Sequence, residues 1–285
     1  MLNQHLPYFL GLPAWADPAW RGGLLPRSGS AISAYSKVFN TVEGNTTFYQ
    51  IPSAETVAAW REAVQGSSFR FSFKLPRGVT HEPYPRWEEL RRFLNVVEPL
   101  FDNLGPFLIQ LSEKIGPAQQ AWMNNLLRQL PHNFQHVLEV RHPHFFEQPE
   151  SLEPILDQYG LGRVVMDTRS LFSGDRNHPE AQDALKKKPN LPILKNVYHD
   201  LFYLRLILHP ERSNHQAIMR EWAQHVVECL LEGKACFLMI HCANNAYAPD
   251  LAQTFHRLVR EQLGSEQLPK LPEWGEPSGG QAVLF

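Results

Sequence analysis

Short apolar runs recur eight times along this chain, each followed by a stretch with helical period, and this alternation constrains the fold more than any other property. The runs fall at 8–12, 41–44, 69–74, 107–111, 137–140, 163–167, 202–207 and 236–241. Strands alternating with helical segments build a parallel sheet wrapped by helices. The segment 54–64 shows why its period is helical: Val57, Trp60 and Val64 share one stripe behind the start signal Pro52-Ser53. Similar stripes occupy 90–97, 121–130, 218–231 (closed by Gly233) and 251–263 (behind Pro249).

Eight such units predict an α/β fold, a TIM-type (β/α)8 barrel. A length of 285 residues with 43% hydrophobic and 20% charged content suits one domain of that size. The barrel is expected over 1–267, followed by a Pro/Gly-rich extended tail at 268–285. Residues 170–197 are too long for an ordinary barrel loop. They follow a strand's C-terminal end, which predicts that they fold over the barrel mouth. Their Lys186-Lys187-Lys188 run reads as a solvated charged face.

Composition limits the partners. A net charge of -2 gives no bulk attraction for nucleic acid or an anionic membrane. Cys229, Cys236 and Cys242 lack the paired short spacing of a zinc site and suit a reducing compartment, so a cytoplasmic protein is expected. The apolar run at 6–12 is broken by Pro7 and Gly11 and is far too short to span a bilayer; no membrane association is expected.

A barrel of this type places its chemistry at the C-terminal strand ends. Alternation sorts which side chains point inward. In 69–74 the three phenylalanines share one face, which turns Arg70, Ser72 and Lys74 inward. Glu139 and Arg141 share a face on the fifth strand, and Val165, Asp167 and Arg169 are expected to do so on the sixth. Gln110 ends the fourth strand, Arg205 lies within the seventh and His241 closes the eighth. With Glu43 and Asn45 these side chains would ring one mouth. Glu43, Lys74, Glu139 and Asp167 are the expected catalytic acids and bases, and Asn45, Arg70, Gln110, Arg141, Arg169, Arg205 and His241 the expected substrate ligands. The arginine excess points to a phosphate or carboxylate. Lysine beside carboxylates acts as a base or a Schiff-base former when burial lowers its pKa. No cofactor is expected. If a divalent metal were bound, Glu139, His142, Asp167 and His241 are the candidate ligands.

The run Val42-Glu43-Gly44-Asn45-Thr46-Thr47-Phe48-Tyr49, together with Gly11-Leu12-Pro13-Ala14-Trp15, Glu139-Val140-Arg141-His142-Pro143 and the terminal Leu284-Phe285, resembles the YecE-like family, domain of unknown function 72. The resemblance spans nearly the whole chain and is closest to the YecE branch. It implies a TIM-type barrel and carries no catalytic assignment. Two segments depart from many relatives. The eighth strand reads Met239-Ile240-His241-Cys242 in place of an aromatic-Asn-Asn motif, with Asn244-Asn245 downstream. The seventh reads Arg205-Leu206-Ile207-Leu208-His209 in place of Arg-x-His-Gly.

The chain end adds a separate reading. Gln281, Leu284 and Phe285 are spaced like the short peptide by which bacterial replication and repair proteins dock on the sliding clamp. The plainer alternative anchors Leu284 and Phe285 on the barrel's own surface. Three functions therefore stand open: an acid-base enzyme for an anionic substrate, a phosphodiester-cleaving DNA-repair-type enzyme recruited through the tail, or a non-catalytic binding barrel.

Overall fold

The computed structural model describes residues 6–211, 215–264 and 266–275. Eight parallel strands form one sheet: β1 Tyr8–Leu12, β2 Thr41–Gly44, β3 Arg70–Phe73, β4 Phe107–Gln110, β5 His136–Glu139, β6 Gly162–Asp167, β7 Leu201–Leu208 and β8 Ala235–Cys242. The main helices follow in turn: α1 Ala31–Tyr35, α2 Ala54–Val64, α3 Trp87–Val97, α4 Gln120–Arg128, α5 Glu153–Tyr159, α6 Gln182–Lys187, α7 His215–Leu231 and α8 Ala248–Leu263. Strand order is β3-β2-β1-β8-β7-β6-β5-β4. The remaining seam, β3 to β4, is stitched by the Lys74–Leu108 and Phe71–Leu104 bridges. Leu75 N–H donates to Leu108 O at 3.0 Å and Gly105 N–H to Phe71 O at 2.8 Å. The result is a nearly closed TIM-type barrel, as the alternation predicts.

Apolar side chains fill the lower half of the interior. Leu108, Val137, Val164, Leu201, Tyr203, Phe237 and Met239 form one buried cluster, which leaves no pore. The outer faces pack on the helices. Phe71 stacks on Phe73 at 5.3 Å and on Trp60 of α2 at 6.0 Å, while Phe93 of α3 meets Phe73 edge-on. This apolar outer face is what turns Ser72 and Lys74 inward. Where β1 meets β2, a Cβ on Gly11 would stand 2.1 Å from the Thr41 carbonyl oxygen, so the strands approach this closely only over glycine. Tyr35 secures the same joint, accepting from Leu12 N–H at 2.8 Å and donating to Thr41 O at 2.9 Å.

Residues 268–274 are extended but docked: Leu268 is buried, Arg260 Nε donates to Leu268 O at 2.7 Å, and Trp274 lies 6.1 Å from Phe39. Gln281, Leu284 and Phe285 lie outside the described residues. Among the described residues no helix is long and apolar enough to cross a membrane.

Candidate functional site at the barrel mouth

Above the apolar layer the barrel interior becomes charged, and Arg205 is its centre. The guanidinium is fully buried and forks between two buried carboxylates. Its Nε donates to Glu43 Oε2 at 2.8 Å and its Nη2 to Glu43 Oε1 at 2.7 Å, while Nη1 donates to Glu139 Oε2. Asn45 Nδ2 adds a bond to Glu43 Oε1 at 2.7 Å, and Arg141 Nε donates to Glu139 Oε1 at 2.8 Å. Tyr203 supports the cluster from below, its hydroxyl 2.9 Å from Ser72 Oγ and 3.4 Å from Glu43 Oε2. Burial alone would raise both carboxyls, but the Arg205 charge outweighs it. Glu43 is held well below the usual carboxylate range, and Glu139 is brought down to about 2. Both are therefore fixed as anions near neutral pH.

Lys74 has a different environment. It is 7% exposed, at the end of β3. Its Nζ donates to Gln110 Oε1 at 3.0 Å and stands 3.7 Å above the Phe48 ring centroid. Among the described residues it forms no ion pair with a carboxylate. The short turn carrying Phe48 is pinned onto β3 by Thr47, whose hydroxyl donates to Gly44 O and Lys74 O at 2.8 and 2.6 Å. Burial, followed by the positive charge of Arg205, lowers Lys74 to about 7. Gln110 also accepts from Arg141 Nη2 at 2.9 Å, so one amide oxygen orients two cations.

A cavity of about 570 Å³ opens above these groups, lined by Lys74, Gln110, Arg141, Arg205 and His241. The segment 170–197 closes one side through Asp183, Ala184, Lys187 and Lys188. Lys187 pairs with Asp183 at 2.8 Å and stays exposed. Lys188 is half-buried and, among the described residues, forms no ion pair. Burial and the Arg205 charge lower it to about 8. The lysine run is therefore not uniformly a solvated face. Consecutive residues on a helix point about 100° apart, and Lys188 is the C-cap of α6, in extended backbone before Pro189. That change of direction is the sequence signal for the third lysine. Lys74, Arg77, Arg141, Lys187, Lys188 and Arg205 line the cavity as six basic side chains, against Asp183 in the same lining and the buried Glu43 and Glu139 bound to Arg205. Two histidines complete the wall. His241 Nε2 lies 3.5 Å from Glu43 Oε1, and His81 packs edge-on to Phe48. Burial keeps both neutral at pH 7, with pKa values of about 4.

Three expected site residues lie elsewhere. Asp167 and Arg169 face the helix layer, because β6 turns Val164 inward and Val165 and Asp167 outward. The Asp167 carboxylate is fully buried against α7, accepting from Trp222 Nε1 at 2.7 Å and Arg169 Nη2 at 2.8 Å. It also accepts from Arg169 N–H at 2.8 Å, starting the short helix Arg169–Ser173. Arg169 reaches on to Glu221 at 2.9 Å. Arg70 does face inward, but it begins β3. Four residues at about 3.3 Å each put it at the other end from Lys74, and it donates there to Asp102 O at 2.5 Å. Among the described residues no group of three or more His, Cys, Asp or Glu is placed to hold a metal ion. Glu139, His142, Asp167 and His241 do not converge.

A second cavity, about 530 Å³, lies on the outer wall beside the docked chain end. Its buried His256 is satisfied on both ring nitrogens, by Tyr8 Oη at 3.2 Å and Pro269 O at 2.8 Å. The mouth is the stronger candidate, since among the described residues Lys74 and Lys188 line it without an ion pair to a carboxylate.

Comparison with known proteins agrees with this architecture. The family model described as "Protein of unknown function DUF72" matches residues 9–274. The UPF0759 protein YecE of Escherichia coli (strain K12) is 32% identical over 273 residues, covering 93% of this chain and 97% of that protein. Its counterpart in Escherichia coli O157:H7 is 31% identical over the same shares. The crystal structure of a DUF72 family protein from Thermotoga maritima MSB8 superposes with a TM-score of 0.66 at 20% identity, covering 89% of this chain and 99% of that one. One from Enterococcus faecalis V583 gives 0.67 at 19%, covering 89% and 95%. At those identities the two structures speak for the fold alone.

Proposed function

This chain belongs to the DUF72 family, and from that premise and the chemistry of the mouth we propose that it is an enzyme acting on a small anionic molecule at the C-terminal strand ends. The observation that carries this reading is Lys74, a buried amine whose neighbours are a neutral amide and an aromatic ring. Glu139 and Glu43 act on it only through space, with no direct ion pair among the described residues, so its charge is costly to bury and a bound anion would offset that cost. Arg141 and Lys188 flank the same cavity and would hold a phosphate or carboxylate through charge-assisted bonds.

The roles differ from those expected of the sequence. Glu43 and Glu139 hold Arg205 in place instead of exchanging protons, because the guanidinium keeps both ionised. Proton transfer then falls to Lys74, whose depressed pKa lies near the working pH of a general base. Gln110 orients that amine, and neutral His241 backs Glu43.

Calorimetric titration with inorganic phosphate tests the reading. Wild-type protein is expected to bind, and Lys188→Ala to bind at least about tenfold more weakly, the loss of one charge-assisted contact. Absence of binding at tens of millimolar phosphate, or an unchanged affinity in Lys188→Ala, would refute it.

A further inference from the structure

We propose that Lys74 is a Schiff-base-forming amine and that the substrate is a small carbonyl compound carrying a carboxylate or phosphate. This inference rests on the anion reading above and adds the electrophile. A general base near neutrality is ordinarily a histidine or a carboxylate, but here Glu43 and Glu139 are bound to Arg205, Asp183 is paired with Lys187, and His81 and His241, lowered to about 4, are weak bases at pH 7. The group presented instead is a primary amine, which does what those groups cannot: it bonds covalently to a carbonyl carbon.

The geometry suits that step. Lys74 extends from a strand end anchored on both sides, by Leu75 N–H to Leu108 O and by Thr47 to Lys74 O. Such a nucleophile is fixed in position, whereas Lys188 follows a short helix in an inserted segment. The Phe48 ring at 3.7 Å and Gln110 Oε1 at 3.0 Å define two sides of the amine, and the cavity borders it as well. The lone pair of the neutral amine attacks the carbonyl carbon. The C–N bond forms, the C=O π pair moves to oxygen, and that oxygen takes a proton while nitrogen gives one up. A second proton converts the hydroxyl to water, which leaves as nitrogen forms the C=N bond. The net reaction is amine plus carbonyl plus one proton giving iminium plus water. The Lys188 ammonium lines the same cavity as an acid for the last transfer. Its lowered pKa, and that of Lys74, favour one neutral amine beside one protonated amine at pH 7 to 8.

Two probes test the proposal on full-length protein: glyoxylate, which carries a carboxylate, and glycolaldehyde phosphate. Each is incubated at pH 7 with cyanoborohydride, whose hydride reduces the iminium to a stable secondary amine, and the modified lysines are mapped by peptide mass. The expected result is a single dominant adduct on Lys74 with at least one probe. It should exceed that on exposed Lys186 at least tenfold, be suppressed by inorganic phosphate, and weaken in Lys188→Met. Label spread over exposed lysines, or concentrated on Lys188, would overturn the proposal. If phosphate still binds in that case, only the Schiff base fails; if phosphate does not bind either, the anion reading fails with it.

Discussion

Replacing Lys74 with methionine should make this protein more stable, and the gain should depend on pH in a defined direction. The folded pKa of Lys74 lies at about 7 against an ordinary 10.5. At about 1.4 kcal/mol per tenfold change, that difference sets a ceiling of about 5 kcal/mol on the cost of burying the charge. At 7% exposure, solvent screening removes little of it. Methionine fills similar volume without charge but gives up the Gln110 hydrogen bond and the cation–π contact with Phe48, each worth about 1 kcal/mol. The net gain expected is about 2–4 kcal/mol, or roughly 5–10 °C in Tm. Because the folded pKa lies below the unfolded one, wild-type stability rises between pH 7 and 10.5 as the unfolded chain alone keeps the proton. Lys74→Met should therefore gain most below pH 7 and progressively less toward pH 10. Urea unfolding of both proteins at pH 6, 8 and 9.5 measures this. A variant destabilised by more than about 1 kcal/mol at pH 6, or shifted equally at every pH, would refute the argument.

Other substitutions separate the roles of the remaining charges. Arg205→Met should lose about 3–5 kcal/mol at pH 7, since two buried carboxylates are left without their guanidinium. Those carboxyls would then titrate above their ordinary values, so the deficit relative to wild type should shrink as pH falls toward 5, as measured by denaturant melts. In the wild type, Glu139 at about 2 contributes stability that is present above about pH 4.5 and lost as pH falls toward 2. His81 and His241, depressed to about 4, should make wild-type Tm fall as pH drops from about 6.5 to 4, because the unfolded chain takes up protons first. Asp167→Ala should cost about 2–4 kcal/mol through its lost bonds to Trp222 and Arg169, yet leave phosphate affinity within about twofold. A tenfold loss of affinity would return Asp167 to the site.

The barrel is legible in the sequence because its strands separate cleanly from helices of period 3.6. The facing of a side chain is legible only where a strand's own alternation is chemical. In β3 three phenylalanines mark the outer face, so Ser72 and Lys74 come out inward as observed. In β6, Val164-Val165-Met166 gives no such contrast, and the phase slips by one, placing Asp167 in the mouth instead of on α7. The partner that buries it, Trp222, lies 55 residues downstream, beyond any local pattern. Depth is a second limit: Arg70 has the right face and the wrong end. Lys188 is masked in the sequence by its two solvated neighbours, because what turns it from them is the end of α6 at that residue. The sharing of Arg205 between Glu43 and Glu139, at sequence separations of 162 and 66, is set by barrel closure and by no motif.

The central claim is that the mouth holds an amine kept near neutrality for an anion to engage. Direct titration of the Lys74 side chain, by NMR of the carbon adjoining Nζ in lysine-labelled protein, tests it most directly. A midpoint near 7 is expected in the free protein, moving upward when phosphate saturates the mouth. A midpoint near the ordinary 10.5, unmoved by phosphate, would contradict it.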